Sequence, residues 1–246
     1  MVKYTRAVFS DIHANADALS AVLADLTAQE ARGLVCLGDV VGYAAEPAEC
    51  LETVRALRCP ILLGNHDQAV ASEDPLLDMR GAAQLGVLYA REKLASEQRA
   101  FLAGLPLTRE EPTCQFVHAS LGDPTAWTYV LSPWEALAHF SQQKQRLCFC
   151  GHTHLPMVWH SAPDGSLTST PGAGRMRLPA EGKVLVNVGS VGQPRDEQPT
   201  ACYVLYHTHS DEIEFRRVPY DVHAARRKII QADLPKHSGD RLLLGR

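Results

Sequence analysis

The sequence predicts an α/β fold, and three observations carry that prediction. The first part of the chain alternates short apolar runs with helical stripes, the pattern of a parallel sheet covered by helices. The later part holds apolar runs separated by Gly and Pro, as in antiparallel hairpins. The 246 residues, without internal repeat, low-complexity segment or long linker, suit one domain over residues 1–246.

Element by element, residues 7–9 end an apolar run and read as a buried strand. Residues 15–31 follow as a helix, with Leu19, Val22, Leu23 and Leu26 at helical spacing and Gly33 marking the end. Residues 34–37 are a second buried strand, and 47–58 a helix striped by Leu51, Val54 and Leu57. Residues 61–63 are a third, short strand, and 81–105 two helices broken near Ser96. Residues 114–117 are a strand. Ser132-Pro133-Trp134-Glu135 then starts a helix, with Ser as cap, Pro in the first turn and Glu three residues after the cap. Strands follow at 147–150, 157–160, 184–187, 201–207 and 212–218, and a helix at 222–232. The Gly/Pro/Ser-rich residues 161–182 read as a long hairpin loop or flap, with Arg175 and Arg177 exposed on it or gating a site.

Composition narrows the function classes. Hydrophobic residues make up 46% and charged residues 21%, which is a globular balance. A net charge of -4 argues against a dedicated nucleic-acid binder. It leaves a small anionic substrate open, because bound metal charge can overrule the global sign. The seven cysteines form no CxxC pair and lie mostly in apolar runs, so they read as small buried hydrophobes in a reducing compartment. The N-terminus carries no apolar signal region, and no run approaches the roughly 20 apolar residues of a membrane span. These features predict a cytoplasmic protein.

The chemistry sits in five short groups, each directly after an apolar strand: Asp11-Ile12-His13, Gly38-Asp39, Gly64-Asn65-His66-Asp67, His118, and Gly151-His152-Thr153-His154. Sites in open α/β sheets form at the carboxyl ends of strands, so all five should gather along one edge. Residues two apart in an extended segment point the same way, which would let Asp11 and His13 reach one ion together, and likewise His152 and His154. Glycines at 38, 64 and 151 would leave room for tight turns and a close metal. The mix of carboxylate, imidazole and amide oxygen suits Mn, Fe, Zn, Co or Ni better than Ca or Mg, with Mn favoured. Seven candidate ligands suit two divalent ions sharing a carboxylate better than one.

That ordered set resembles the calcineurin-like metallophosphoesterase superfamily, from about Tyr4 to Val218. The stretches at 10–15, 38–43 and 187–195 look like its small prokaryotic phosphodiesterase branch. The resemblance implies a four-layer αββα sandwich of two packed mixed β-sheets flanked by helices. It implies that Asp11, His13, Asp39 and His154 hold one metal, and that Asp39, Asn65, His118 and His152 hold the other, with Asp39 bridging. His66 would face the leaving-group oxygen as general acid or stabilise the transition state. Asp67 would orient His66 or its loop. A hydroxide bridging two ions would attack phosphorus in line.

Where the family's protein phosphatases carry an Arg after Gly-Asp, this chain has Gly42-Tyr43, and no Arg closely follows Asp67. That favours a phosphodiesterase on small or nucleotide-like esters over a phosphomonoesterase on proteins or metabolites. A non-catalytic scaffold is a weaker reading because every ligand position and His66 are present. A nuclease on long polymers is weakened by the acidic charge. Arg195, Asn187 and Ser190 are candidate substrate contacts, against plainer roles as a solvated Arg and a tight turn. Trp127, Tyr129 and Trp134 suit packing better than base stacking. Arg226-Arg227-Lys228 reads as a solvated face. Homo-oligomerisation is left open.

Overall fold

In β1 (Thr5–Phe9), Ala7 and Phe9 face one side and Val8 the other, and both sides are buried. A strand apolar on both faces needs cover on both, and that requirement organises the molecule. The computed structural model describes residues 4–76 and 79–246. α1 (Ala16–Ala28) is capped by Asn15, whose Oδ1 accepts from Ala18 N at 3.1 Å. The chain turns through Glu30 at φ 52°, and Gly33 opens β2 (Gly33–Cys36) instead of ending the helix as expected. α2 (Pro47–Ala56) begins with its proline in the first turn.

The strand expected at 61–63 is only a single parallel bridge, Ile61 with Cys36. Pro60 has no N–H to continue the ladder, and Leu63 N turns away to donate to Pro106 O at 2.9 Å. The motif at 64–67 then opens a helix the sequence reading missed, α3 (Asn65–Ala71). The expected helical pair is α4 (Ala82–Lys93) and α5 (Ser96–Ala103), broken where expected. β3 (Thr108–Glu110), short and exposed, was also not anticipated. β4 (Cys114–Val117) and β5 (Leu147–Cys150) flank α6 (Pro133–Gln142), whose Glu135 accepts from Ser132 N at 2.6 Å.

Residues 161–182 are not a loop. They form β7 (Leu167–Pro171), paired with β6 (Met157–Ser161), and β8 (Gly174–Arg177), paired with β11 (Glu212–Val218) in the other sheet. β9 (Lys183–Asn187) and β10 (Ala201–His207) complete the sheets. The expected helix at 222–232 is α7 (Val222–Gln231), and an unanticipated α8 (Lys236–Leu242) follows it.

One sheet runs β2-β1-β10-β11-β8 and the other β3-β4-β5-β9-β6-β7. Both are mixed: β1 pairs parallel with β2 but antiparallel with β10, and β5 pairs parallel with β4 and β9. Val8, Val35, Phe116, Phe149, Val186 and Phe215 fill the space between the sheets, with the Phe116 and Phe149 rings stacked at 5.6 Å. The outer face of the first sheet packs on α1, α2, α4 and α5, and that of the second on α6. The architecture is therefore the four-layer αββα sandwich. α7 and α8 pack on Ala14 and Ala44, over the loops that follow β1 and β2. Among the described residues no helix is long and apolar enough to cross a membrane.

Candidate metal centre

The groups singled out in the sequence converge where β1 and β2 of one sheet and β4 and β5 of the other end side by side. Asp11, His13, Asp39, His118, His152 and His154 are all buried, none more than 4% exposed. Donor atoms of Asp11, His13 and His154 lie within 4.8 Å of one another, as do those of Asp39, His118 and His152. A third such group joins His13, Asp39 and His66.

The loops do not present these side chains by strand alternation. Asp11, His13, Asp39, His152 and His154 all sit in the left-handed region, at φ 57°, 50°, 51°, 66° and 61°. For non-glycine residues that costs about 1 kcal/mol or more apiece and persists only where the surroundings impose it. Here they do. Asp11 N and His13 N donate to the carbonyls of Gly38 (3.0 Å) and Asp39 (2.9 Å), tying the first loop to the second. Ser190 Oγ donates to Asp11 O at 2.8 Å, and Val191 N to Ser10 O at 3.0 Å. Asn187 Nδ2 donates to Gly151 O (2.5 Å) and Thr153 Oγ1 (3.0 Å), holding the His152–His154 loop. The glycine at 64 makes room for the Asp39 carboxylate and that at 151 for Asp11 and Ser10, side chains and not the metal expected there.

His13, His118, His152 and His154 each have one ring nitrogen committed outward. Nδ1–H of His13, His118 and His154 donates to the carbonyls of Val41 (3.3 Å), Leu37 (3.0 Å) and Gln193 (2.5 Å). His152 is reversed, its Nε2–H donating to Trp127 O at 2.8 Å. That leaves His13 Nε2, His154 Nε2, His118 Nε2 and His152 Nδ1 facing inward, in the pattern by which carbonyls fix the tautomer of metal-binding histidines. The inward nitrogens of His13 and His154 are 3.1 Å apart, and those of His118 and His152 3.2 Å. Asp11 Oδ1 and Asn65 Oδ1 are buried without a hydrogen-bond partner. Lone pairs crowded against each other beside orphaned oxygens are what a cation would satisfy, so the residues fit a pair of divalent ions.

The electrostatics agree with that fit for Asp11, Asp39, His13, His152 and His154 and oppose it at His118. Burial alone would raise Asp11 and Asp39, but His154 beside the first and His118 beside the second hold both carboxyls below their usual range. Burial pushes His13 and His154 down and takes His152 to about 3. His118 goes the other way: burial opposes it, yet Asp39 and Asp11 raise it to about 9. Burial also takes His66 down to about 4.

Asp67 does not touch the His66 ring. Its carboxylate accepts from Val40 N (2.9 Å), Val41 N (3.2 Å) and Gly64 N (3.2 Å), so it holds the second and third loops together. Burial and the neighbouring Asp39 raise it to about 7. Asn187 and Ser190, expected as substrate contacts, are buried with their polar atoms turned to the ligand loops. Arg195 is half-buried and donates from Nη2 to Gln193 Oε1 (3.0 Å) and Tyr43 Oη (3.4 Å). The ring of Tyr43 lies 4.7 Å from that of His66 and 4.8 Å from that of His13. Reading the sequence missed the carbonyls of Leu37, Val41, Trp127 and Gln193, for which side-chain identity carries no signal.

A cleft of about 590 Å³ opens beside Asn65 and His152, walled by Leu76, Met79, Trp127 and Tyr129. Tyr129 stacks on His152 at 4.1 Å, and the Trp127 indole donates to Gln68 Oε1 at 3.0 Å. Arg91, on the same wall, is spent on the carbonyls of Ala69 and Asp74. Trp134 is 83% exposed and does not line the cleft. Arg226 and Lys228 are tied into ion pairs with Asp240, Asp17 and Glu46 instead of standing as a free basic patch.

Comparison with known proteins agrees with this geometry. The family model described as the calcineurin-like phosphoesterase superfamily domain matches residues 5–211. An uncharacterized protein of Methanocaldococcus jannaschii is 37% identical over 251 residues, with both chains covered completely. The crystal structure of a metallophosphoesterase from Sphaerobacter thermophilus superposes with a TM-score of 0.88 at 30% identity, covering 100% of each chain. A hypothetical protein of Pyrococcus horikoshii shares the fold, with a TM-score of 0.78 at 20% identity over 100% of this chain and 99% of its own.

Proposed function

The chain belongs to the calcineurin-like phosphoesterase superfamily, whose members depend on paired metal ions, and is a phosphoester hydrolase; within that family we propose that it is a phosphodiesterase acting on small or nucleotide-like esters. The observation that carries the diester reading is the aromatic cleft opening beside Asn65 and His152. It offers an organic ester group a place against Trp127 and Tyr129, and the one arginine among its described lining residues is already occupied. Tyr43 supports the same reading, because it sets an aromatic ring where the protein phosphatases of the family are expected to carry a cation.

Asp11, His13, Asp39 and His154 would hold one ion, and Asp39, Asn65, His118 and His152 the other. When bound, such a pair supplies the Lewis acidity that makes a hydroxide available near neutral pH and offsets charge on the phosphoryl oxygens. Every other contribution comes from the chain. His66 has its Nδ1 buried against Gly42 without a partner, and with burial keeping the ring neutral its Nε2–H gives a hydrogen bond to the departing oxygen. Asp67, Asn187 and Ser190 position the ligand loops, and Arg195 meets a phosphate from the Tyr43 side. Manganese is the ion we favour. The seven free cysteines, buried or nearly so, support a reducing compartment, and the cytoplasm is the location proposed.

The test is to strip the protein of metal, restore Mn²⁺, and compare turnover of bis-p-nitrophenyl phosphate with p-nitrophenyl phosphate, beside an Asp39→Asn control. Diester turnover well above monoester turnover, abolished in the control, is the expected result. A preference for the monoester would return the protein to the phosphomonoesterases.

A further inference from the structure

The two metal positions are braced differently. At the one proposed for Asp11, His13, Asp39 and His154, the braces are buried. His13 and His154 donate to the carbonyls of Val41 and Gln193, and Gln193 is held in turn by its N on Ser190 Oγ at 2.9 Å. At the one proposed for Asp39, Asn65, His118 and His152, Leu37 O holds His118 in the same way, but His152 leans on the loop between β4 and α6. Its Nε2–H donates to Trp127 O at 2.8 Å, and the exposed Tyr129 stacks on its ring at 4.1 Å.

Trp127 also reaches the other side of this second position. Its ring meets that of His118 edge-on, with centroids 5.8 Å apart. Its indole N–H donates to Gln68 Oε1 at 3.0 Å. Gln68 stands one turn after Asn65 on α3, and its own N donates to Gly64 O at 2.9 Å, closing the turn that Asn65 opens. One residue therefore ties together His152, His118 and the helix that presents Asn65, which come from three separate segments. Trp127 sits at φ 51°, in the left-handed region, where a non-glycine residue stays only if its surroundings hold it. The ends of its loop are pinned, by Thr125 N on Asp123 Oδ1 at 2.9 Å and by the buried Val130. In the middle, the bond to Gln68 is the side-chain tie to α3. Without it the strained residue is free to relax and carry its carbonyl off His152. That carbonyl decides which nitrogen of His152 bears the proton, and a ring protonated on Nδ1 cannot face an ion.

We propose that Trp127 is a positioning residue for the second metal position, and that its bond to Gln68 sets the affinity for the ion there while leaving the first position alone. The inference rests on reading the centre as a two-metal phosphoesterase and adds what holds one half of it in shape. Trp127, Gln68 and Tyr129 also line the aromatic cleft, so the wall offered to the substrate and the brace of the second ion are one structure.

The test counts metal and leaves turnover aside. The whole chain is stripped of metal and dialysed to equilibrium against a series of free Mn²⁺ concentrations, with bound manganese read by atomic emission. Two binding steps are expected, and Asn65→Ala marks which of them belongs to the second position. Trp127→Phe keeps a ring but loses the indole N–H, and Gln68→Met keeps the side-chain length but loses the acceptor. Each should raise the dissociation constant of that step about tenfold or more, and move the other less than twofold, with melting curves showing the variants folded. The double variant should be no worse than either single one, because both break the same bond. Quenching of tryptophan emission by Mn²⁺ should follow the second position's step and be lost in Trp127→Phe. Two steps that only one variant shifts, that neither shifts, or that both shift together overturn the proposal and leave the two-metal reading standing. An additive double variant, or quenching that follows the other step, does the same. A single step in the unmodified protein removes the two-metal reading, and the proposal with it.

Discussion

His66 has one ring nitrogen pressed under a glycine and the other free for substrate. A Cβ at Gly42 would come within 2.5 Å of His66 Nδ1, and the backbone there is at φ 93°. Gly42→Ala should therefore push the imidazole off its position and cut turnover by about tenfold or more, since small displacements of a catalytic group are costly. Metal content, measured by atomic emission, should stay near that of the parent. His66→Ala should lower turnover further while also keeping its metal. Loss of metal in that variant would make His66 a ligand, which its grouping with His13 and Asp39 makes a real alternative. At this scale the sequence was informative about which side chains gather and misleading about how. Asp11 and His13 do reach a common point, but through left-handed backbone, because long-range hydrogen bonds to the carbonyls of Gly38 and Asp39 and from Ser190 Oγ override local alternation. At Asn187 and Ser190 a polar residue after a strand carries the same sequence signal whether it faces a ligand or a loop.

Among the elements, the segment 161–182 shows what a local pattern cannot reveal. Its strands are largely exposed, and each takes its hydrogen bonds from a different sheet, so neither had an apolar stripe to mark it. Arg175 on β8 pairs with Glu212 at the sheet edge, opposite in role to a gate. Arg175→Ala and Arg177→Ala should leave turnover within about twofold and stability within about 0.5 kcal/mol, as for exposed positions elsewhere; a large fall in kcat would restore the gating role. The strands β1, β2, β4, β5, β6, β9, β10 and β11 and the helices α1 and α2 were legible because each buries an apolar run or stripe, and α6 because of its capping residues. α3 and α8 were not, being seven-residue helices whose polar residues serve the metal centre and the C-terminal turn.

For the molecule as a whole, the alternation of strands and helices identified the α/β class, and the ordered motifs identified the sandwich. The depth of burial of individual ionisable groups was beyond reach. His139 on α6 is fully buried, with Nδ1 accepting from Leu121 N at 3.1 Å, and burial pulls it from 6.5 to about 4. Because its folded value is depressed, the stability it contributes is complete above pH 6.5 and is lost as pH falls toward 4, on the order of 3 kcal/mol in full. His139→Gln should flatten the fall in melting temperature over that interval relative to the parent; parallel curves would show that the acid sensitivity lies elsewhere. The sheet order carries a further consequence, for the order of events during synthesis. β1, which delivers Asp11 and His13, pairs with β10, so Thr5 waits for His207 before its sheet can close. The clamp from Ser190 comes almost as late. A ribosome must have translated the chain through His207 before the first ligand loop is held in shape, so an ion can be selected there only after β10 has emerged.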